Sequence, residues 1–359
     1  KNRKTRWLLE SYGRFADNEL QIPYCHKGLA ELSITKLDDG IFVNTSKIDM
    51  IKKLDSIVFD CDGVLVDISN SYDLAIKKTV DFVIKKMTGY NENNLVSTKM
   101  IEAFKESGGF NDEVDVTYAL VLSFVVAKKI NKPFDEFVFK VAQNTDKSGI
   151  LSVEKFLNSL DADFSDIKDK LCYPGVRFEN PLNSIFDEIF YGPKLYKVLY
   201  KKNPEFYTDT GLIENDIVLV NKNLIQELRN KFKSKISIVT GRGLLSIQQS
   251  LKELLQEFDT QNSKFLEDEP REMAKPNPQS LILSIKGMNG NCSIFVGDSV
   301  EDFIMAKQAN DSGIPTIFCG IYGTSKNPDK KLDLFKKKEA DIILESIHLI
   351  PKTLNLVEP

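Results

Sequence analysis

The stretch Ser56-Ile57-Val58-Phe59-Asp60-Cys61-Asp62-Gly63-Val64-Leu65-Val66-Asp67 decides how the rest of the chain is read. Its first four residues are apolar or small and run straight into an acidic pair, Asp60 and Asp62, one residue apart. Such a run reads as a fully buried strand that ends where polar chemistry begins. Gly63 then permits a sharp turn. Two carboxylates crowded at a strand end repel each other unless a cation lies between them or one keeps its proton. Either outcome points to magnesium or to general acid–base work. The plain alternative is an Asp-rich turn after a buried strand.

Downstream of Asp67 the pattern becomes helical. Ser71–Met87 places Ile76, Val80, Val83 and Ile84 near helical spacing. Further helices are expected over Leu95–Glu106, Val116–Lys129, Phe134–Gln143, Val153–Ser159, Asp166–Leu171 and Leu182–Tyr191. Gly108-Gly109-Phe110-Asn111-Asp112-Glu113 forms a polar break between two of them. Asn144–Lys155 has calcium-loop offsets at Asp146, Ser148 and Gly149, but Lys155 stands where a bidentate Glu is needed, so a turn before a helix is expected instead.

From Asp216 the style changes again. Short apolar strands are expected at Lys235–Val239, Ser263–Leu266, Cys292–Val296 and Ile314–Cys319. They alternate with helices at Lys222–Phe232, Leu244–Phe258, Gln279–Lys286 and Phe303–Ala309. This alternation predicts a parallel sheet covered on both faces. Asp60, Thr240 and Asp298 then fall at the carboxyl ends of strands, the edge where open α/β sheets bind ligands. Upstream of the opening strand, Trp7–Phe15 reads as a short amphipathic helix. Glu31–Thr35 and Gly40–Asn44 flank Asp38-Asp39 like a hairpin. No chemistry is visible there, and residues 1–53 are read as an appendage of unknown role.

Composition narrows the classes. The 359 residues are 42% hydrophobic and 28% charged, with a formal net charge of −4. This is ordinary for a globular protein and gives no bulk attraction to nucleic acid or anionic lipid. Lys336-Lys337-Lys338 is followed at once by Glu339 and reads as a solvated helix face. Apolar runs such as Ala119–Ala127 are too short to span a bilayer, and no secretory signal is read, so no membrane partner and a cytoplasmic location are expected. The five cysteines are scattered, with no Cys-x-x-Cys pair, which argues against a zinc site or a disulfide framework. The two histidines, His26 and His348, sit in no motif, so mechanisms built on His start poorly placed.

Four pieces remain: Asp60-x-Asp62, Thr240-Gly241-Arg242, Lys275-Pro276, and Gly297-Asp298-Ser299 with Asp302. Each alone has a plain reading: Thr240 and Asp298 as helix caps, Lys275 as a loop lysine. Together, in this order and all at strand ends, they resemble the haloacid dehalogenase superfamily of phosphohydrolases. The resemblance covers Leu54–Asp67 and roughly Asp216–Gly320. It implies a Rossmann-like three-layer α/β core formed by residues 54–67 and 216–359. Residues 68–215 would be a mainly α-helical cap inserted after the first motif.

The resemblance also implies roles. Asp60 would attack phosphorus to give an aspartyl-phosphate, and Asp62 would serve as acid and then base. Thr240 and the Gly241 N–H would bind phosphate oxygens. Lys275 would neutralise charge and steady Asp60. Asp298, Asp60 and the Asp62 carbonyl would hold Mg²⁺, and Asp302 would contact the metal's waters or Lys275. Asp62 favours phosphate chemistry over the dehalogenase branch, which lacks a second acid. The expected activity is Mg²⁺-dependent hydrolysis of a small phosphorylated metabolite. A phosphomutase keeps both carboxylates and is one alternative. A receiver-type signalling protein is the alternative from another class, although its acidic pair precedes its phosphoacceptor. Gly108–Glu113 resembles a cap signature in a branch with links to histidine biosynthesis, which makes histidinol phosphate a candidate substrate but not a favoured one. Phe110, Asn111, Asp112 and Arg242 are the candidate specificity residues.

Overall fold

Ser56–Phe59 is buried at every position because it runs through the middle of a sheet. The computed structural model describes residues 34–107, 109–110, 112–175 and 179–357. Its main sheet contains β1 (Ile34–Asp38), β2 (Ile41–Asn44), β3 (Ser56–Phe59), β6 (Ile236–Thr240), β7 (Lys264–Phe265), β8 (Ser293–Gly297), β9 (Thr316–Ile321) and β10 (Ile342–Leu344). The strand order is β1-β2-β10-β9-β8-β3-β6-β7. The strands from β10 to β7 in that order pair in parallel. β3 is flanked by β8 on one side and β6 on the other, so the chain reverses its direction of travel across the sheet at β3. That switch point opens a crevice at the carboxyl ends of the strands.

Side chains alternate across the sheet. Ile57 and Phe59 point into one apolar layer, shared with Leu224, Leu228 and Ile247. Val58 points into the other, with Leu281, Ile285, Met305 and Phe335. The result is a three-layer α/β fold of the expected Rossmann-like kind.

The helices that cover the insertion are α1 (Tyr72–Val83), α2 (Thr98–Glu106), α3 (Glu113–Lys129), α4 (Phe134–Gln143), α5 (Ile150–Asn158), α6 (Ser165–Leu171) and α7 (Pro181–Tyr200). They bury an apolar core of their own, from Ala75 to Ile213, that shares no residue with the two sheet layers. The segment leaves and returns through two short strands, β4 (Val66–Asp67) and β5 (Ile217–Val218), which pair antiparallel. A body with a separate core on a paired two-strand stalk is an inserted domain. The false calcium loop is a turn, as expected: Asp146 Oδ1 accepts from the Ser148 amide at 2.8 Å. Gly109 packs so closely on this turn that a Cβ there would sit 2.4 Å from the Asp146 carbonyl oxygen.

The remaining core helices are α8 (Lys222–Phe232), α9 (Leu244–Leu251), α10 (Gln279–Gly287), α11 (Val300–Asp311), α12 (Pro328–Lys337) and α13 (Ile350–Val357). One expectation is corrected. Residues 34–53 are no appendage: β1 and β2 form the expected hairpin, but β2 also pairs antiparallel with β10 and so extends the main sheet. The partner strand lies some 300 residues downstream, beyond any local signal. In addition, β10, α12 and α13 complete the sheet and its layers after Gly320. Trp7–Phe15 and Cys25-His26 lie outside the described residues. Among the described residues no helix is long and apolar enough to cross a membrane.

Candidate active site

Four strand ends meet at one edge. Asp60 follows β3, Thr240 ends β6, Asp298 follows β8, and Lys275 lies in the loop between β7 and α10. Asp60 is buried, and its Oδ1 lies 2.6 Å from Lys275 Nζ. The same ammonium lies 2.7 Å from Asp302 Oδ1. The other Asp302 oxygen caps α11, accepting from the Ser299 hydroxyl at 2.7 Å and from the amides of Ser299 and Asp298 at 3.1 and 3.2 Å. Sequence reasoning left Asp302 two alternatives, and its contact with Lys275 is the one on view. Thr240 is fully buried and its hydroxyl accepts from the Arg242 amide at 3.3 Å. At Gly241 a Cβ would meet nothing within 4 Å, so its backbone faces open space.

The charges explain one another. Burial pushes the Asp60 carboxyl up, against the pull of Lys275, and the carboxylates of Asp302, Asp62 and Asp298 push it further. Burial pulls the Lys275 ammonium down, but Asp302 and Asp60 more than reverse this and keep it protonated. Burial raises the Asp62 carboxyl to about 6, with Arg242 opposing and Asp216 and Glu113 adding to the rise. The four carboxylates Asp60, Asp62, Asp298 and Asp302 outnumber the cations that meet them, Lys275, Lys331 and Arg242.

A divalent cation fits that excess. Asp60, Asp298 and Asp302 offer carboxylate oxygens that all lie within 4.8 Å of one another. An all-oxygen donor set suits Mg²⁺. Gly63, at φ +71°, brings bare backbone against this cluster: a Cβ there would lie 2.5 Å from Asp298 Oδ2. Because Asp302 is already engaged with α11 and Lys275, Asp60 and Asp298 are the carboxylates freer to ligate.

The cap candidates fare differently. Phe110, expected to offer a stacking face, is only 1% exposed and packs edge-on against Phe104 with ring centroids 5.1 Å apart. It is a cap core residue, because the apolar ring finds a dry partner on α2. Asp112 accepts from the Val114 amide at 2.8 Å and caps α3. Asn111 lies outside the described residues. Glu113 is the member of this loop whose charge reaches Asp62 and Tyr72; it pairs with Lys105 at 3.1 Å. Arg242, expected to meet substrate, is 3% exposed and engaged with Asp62 and Asp216.

Sequence reasoning passed over Lys331, whose Nζ lies 2.6 Å from Asp298 Oδ2, and Asp216. Lys331 sits in an ordinary charged helix with no motif, so nothing local could have marked it. Asp216 reads in the sequence only as the boundary of the insertion.

A search of curated protein sequences finds no match. Among solved structures, a Northeast Structural Genomics Consortium target is 18% identical with a TM-score of 0.59, covering 85% of this chain and 99% of its own. Phosphatase Tt82 from Thermococcus thioreducens is 19% identical with a TM-score of 0.53, covering 78% of this chain and 98% of its own. Both likenesses are of fold. The family model of haloacid dehalogenase-like hydrolases matches residues 54–310, a span that contains every strand end of the site and the whole insertion. With that match and the inserted cap on its paired stalk, a receiver-type protein no longer fits, and the chain belongs to the haloacid dehalogenase-like hydrolases.

Proposed function

We propose that the protein is a Mg²⁺-dependent phosphatase that hydrolyses a small phosphorylated metabolite through an aspartyl-phosphate at Asp60. The observation that carries this reading is the meeting of Asp60, Lys275, Asp298 and Asp302 at one buried strand edge. Phosphoryl transfer needs a nucleophile in line and positive charge on the phosphoryl oxygens. Asp60 Oδ1 is fixed by Lys275, leaving its other oxygen for attack. As the Asp60–phosphorus bond forms and the ester bond breaks, Asp62 gives its proton to the departing oxygen. It then takes a proton from the water that cleaves the acyl-phosphate. A carboxyl with a pKa of about 6 is suited to both halves near neutral pH. Thr240 and the open Gly241 N–H would take phosphoryl oxygens. Bound at Asp60, Asp298 and the Asp62 carbonyl, Mg²⁺ would neutralise charge on the transferring group.

The test is phosphate release from a panel of phosphorylated sugars, organic acids and amino alcohols, with Mg²⁺ present and after chelation. Release that requires Mg²⁺ and disappears in Asp60→Asn is the expected result. Release that survives in Asp60→Asn would overturn the covalent reading.

A further inference from the structure

Beside the acid–base carboxylate lies a buried guanidinium that the reaction above does not use. Arg242 Nε is 2.7 Å from Asp62 Oδ1, in ion contact. Its NH1 donates to Asp216 Oδ2 at 2.7 Å and to the Ser250 hydroxyl at 2.8 Å. Ser250 donates in turn to Asp216 Oδ2 at 2.7 Å. The guanidinium carbon lies 5.4 Å from the ring centroid of Tyr72 and 5.9 Å from that of Phe190. Those two rings, from α1 and α7 of the cap, stack with centroids 4.2 Å apart. The side chains of Arg242 and Asp216 are each 2% exposed.

One cation therefore joins three parts of the molecule: the acid beyond β3, the residue just before the strand on which the cap returns, and the aromatic face of the cap. Stability alone explains this poorly, because buried ion pairs often gain little over apolar packing of the same volume. Geometry explains it better. Asp62 lies in a turn beyond β3, its side chain is 28% exposed, and the carboxylates around it repel it. A planar fork anchored on Asp216 and Ser250 restricts where its carboxyl can lie.

We infer that Arg242 is a positioning residue that holds the Asp62 carboxyl in line with the leaving oxygen and ties that alignment to the seating of the cap through Asp216. This rests on the acid role assigned to Asp62. Arg242 itself need not touch the substrate. Its loss should harm the protonation of a leaving group more than the attack on phosphorus.

The experiment compares kcat/KM for two esters with Mg²⁺ present. Glycerol 1-phosphate has an alkoxide leaving group that needs a proton. p-Nitrophenyl phosphate has a phenolate leaving group that does not. Because kcat/KM reports steps up to the first irreversible one, only the acid half of the cycle is read. Asp62→Asn sets the scale: glycerol 1-phosphate should lose on the order of 100-fold more than p-nitrophenyl phosphate. Arg242→Gln should show the same contrast, on the order of 10-fold or more, and Asp216→Asn a smaller contrast of the same sign. Arg242→Lys keeps the charge but not the fork, and should fall between wild type and Arg242→Gln.

Equal losses on both esters in Arg242→Gln, with the contrast intact in Asp62→Asn, would make Arg242 a structural residue and overturn the inference. Should Arg242→Gln fail to fold, Arg242→Lys and Asp216→Asn carry the same comparison, and no contrast in either would overturn it. Absence of contrast in Asp62→Asn, or no release from either ester by the wild-type protein, would overturn the acid reading beneath it.

Discussion

Asp60 is held by one cation that it shares. Lys275 touches both Asp60 and Asp302, so replacing one carboxylate leaves the ammonium a counter-ion. Asp60→Asn should therefore abolish turnover, by more than about 1,000-fold as expected for loss of a nucleophile, with a thermal midpoint close to wild type. A large fall in that midpoint would show that the carboxylate is structural. The candidate metal carboxylates separate by the same kind of argument. Among the described residues the Asp298 carboxylate is met by Lys331 alone, through Oδ2, whereas both Asp302 oxygens are engaged. In calorimetric titrations with Mg²⁺, Asp298→Ala should weaken binding far more than Asp302→Ala. Asp302→Ala should instead cost about 1–2 kcal/mol of stability through the lost helix cap. Equal Mg²⁺ affinities in the two variants would show that the ligand assignment is wrong. Lys275 and Asp298 were legible as candidate site residues because each stands in a short motif. Lys331 and the partners of Arg242 were not, since an ion pair across the fold has no spacing in the sequence.

At the scale of elements, the cap depends on a few fixed joints. Helix α7 is two straight pieces joined at Gly192, whose φ is +71°. The backbone of Gly211 passes so near that a Cβ on Gly192 would lie 2.5 Å from the Gly211 nitrogen. Pro193 then starts the second piece, where its missing N–H costs least. One turn before the joint, the buried Glu188 carboxylate accepts the amides of Glu205, Phe206 and Tyr207 at 2.9, 2.6 and 3.0 Å. A side chain thus replaces the ladder that this loop lacks. Glu188→Ala would leave three amides in a part-buried loop without their acceptor. It should lower stability by about 3 kcal/mol in urea unfolding and raise amide exchange at 205–207. Exchange unchanged at those three amides would remove Glu188 from this role. The helices themselves followed from apolar periodicity, and Phe134–Gln143 and Lys222–Phe232 have the expected bounds. The joint did not, because a proline and a glycine mark a break without giving its angle.

At the scale of the molecule, the sheet is pinned at the end opposite the site. Asp55, just before β3, accepts from the amides of Asn291 and Cys292 at 3.0 and 3.1 Å and from Lys235 Nζ at 2.8 Å. It so joins the starts of β3, β6 and β8. Burial pushes its carboxyl up, but Lys235 and the Asn291 and Cys292 amides outweigh this and hold it down at about 2. A carboxyl whose pKa is depressed on folding stabilises the protein above its unfolded pKa, and that contribution fades as pH falls from about 4 toward 2. Its side chain is 29% exposed, so solvent screening reduces the effect to about 1 kcal/mol. Asp55→Asn should cost about that much in urea unfolding at pH 7, and the difference from wild type should shrink toward pH 2 with no change in kcat. A difference constant across that range would exclude the charge as its source.

The opening strand and the succession of helical and α/β regimes were set by the sequence, because each rests on contacts between near neighbours or on the period of apolar residues, and the order of the four motifs was legible through a family resemblance. Those local rules sufficed to put Asp60, Thr240 and Asp298 on strand ends, while the division into cap and core came from the family resemblance. They could not pair β2 with β10, draw Phe110 into the cap core or turn Arg242 inward onto Asp62 and Asp216. Those outcomes depend on burial and charge between residues far apart in the chain, and only the closed tertiary structure brings such residues within reach.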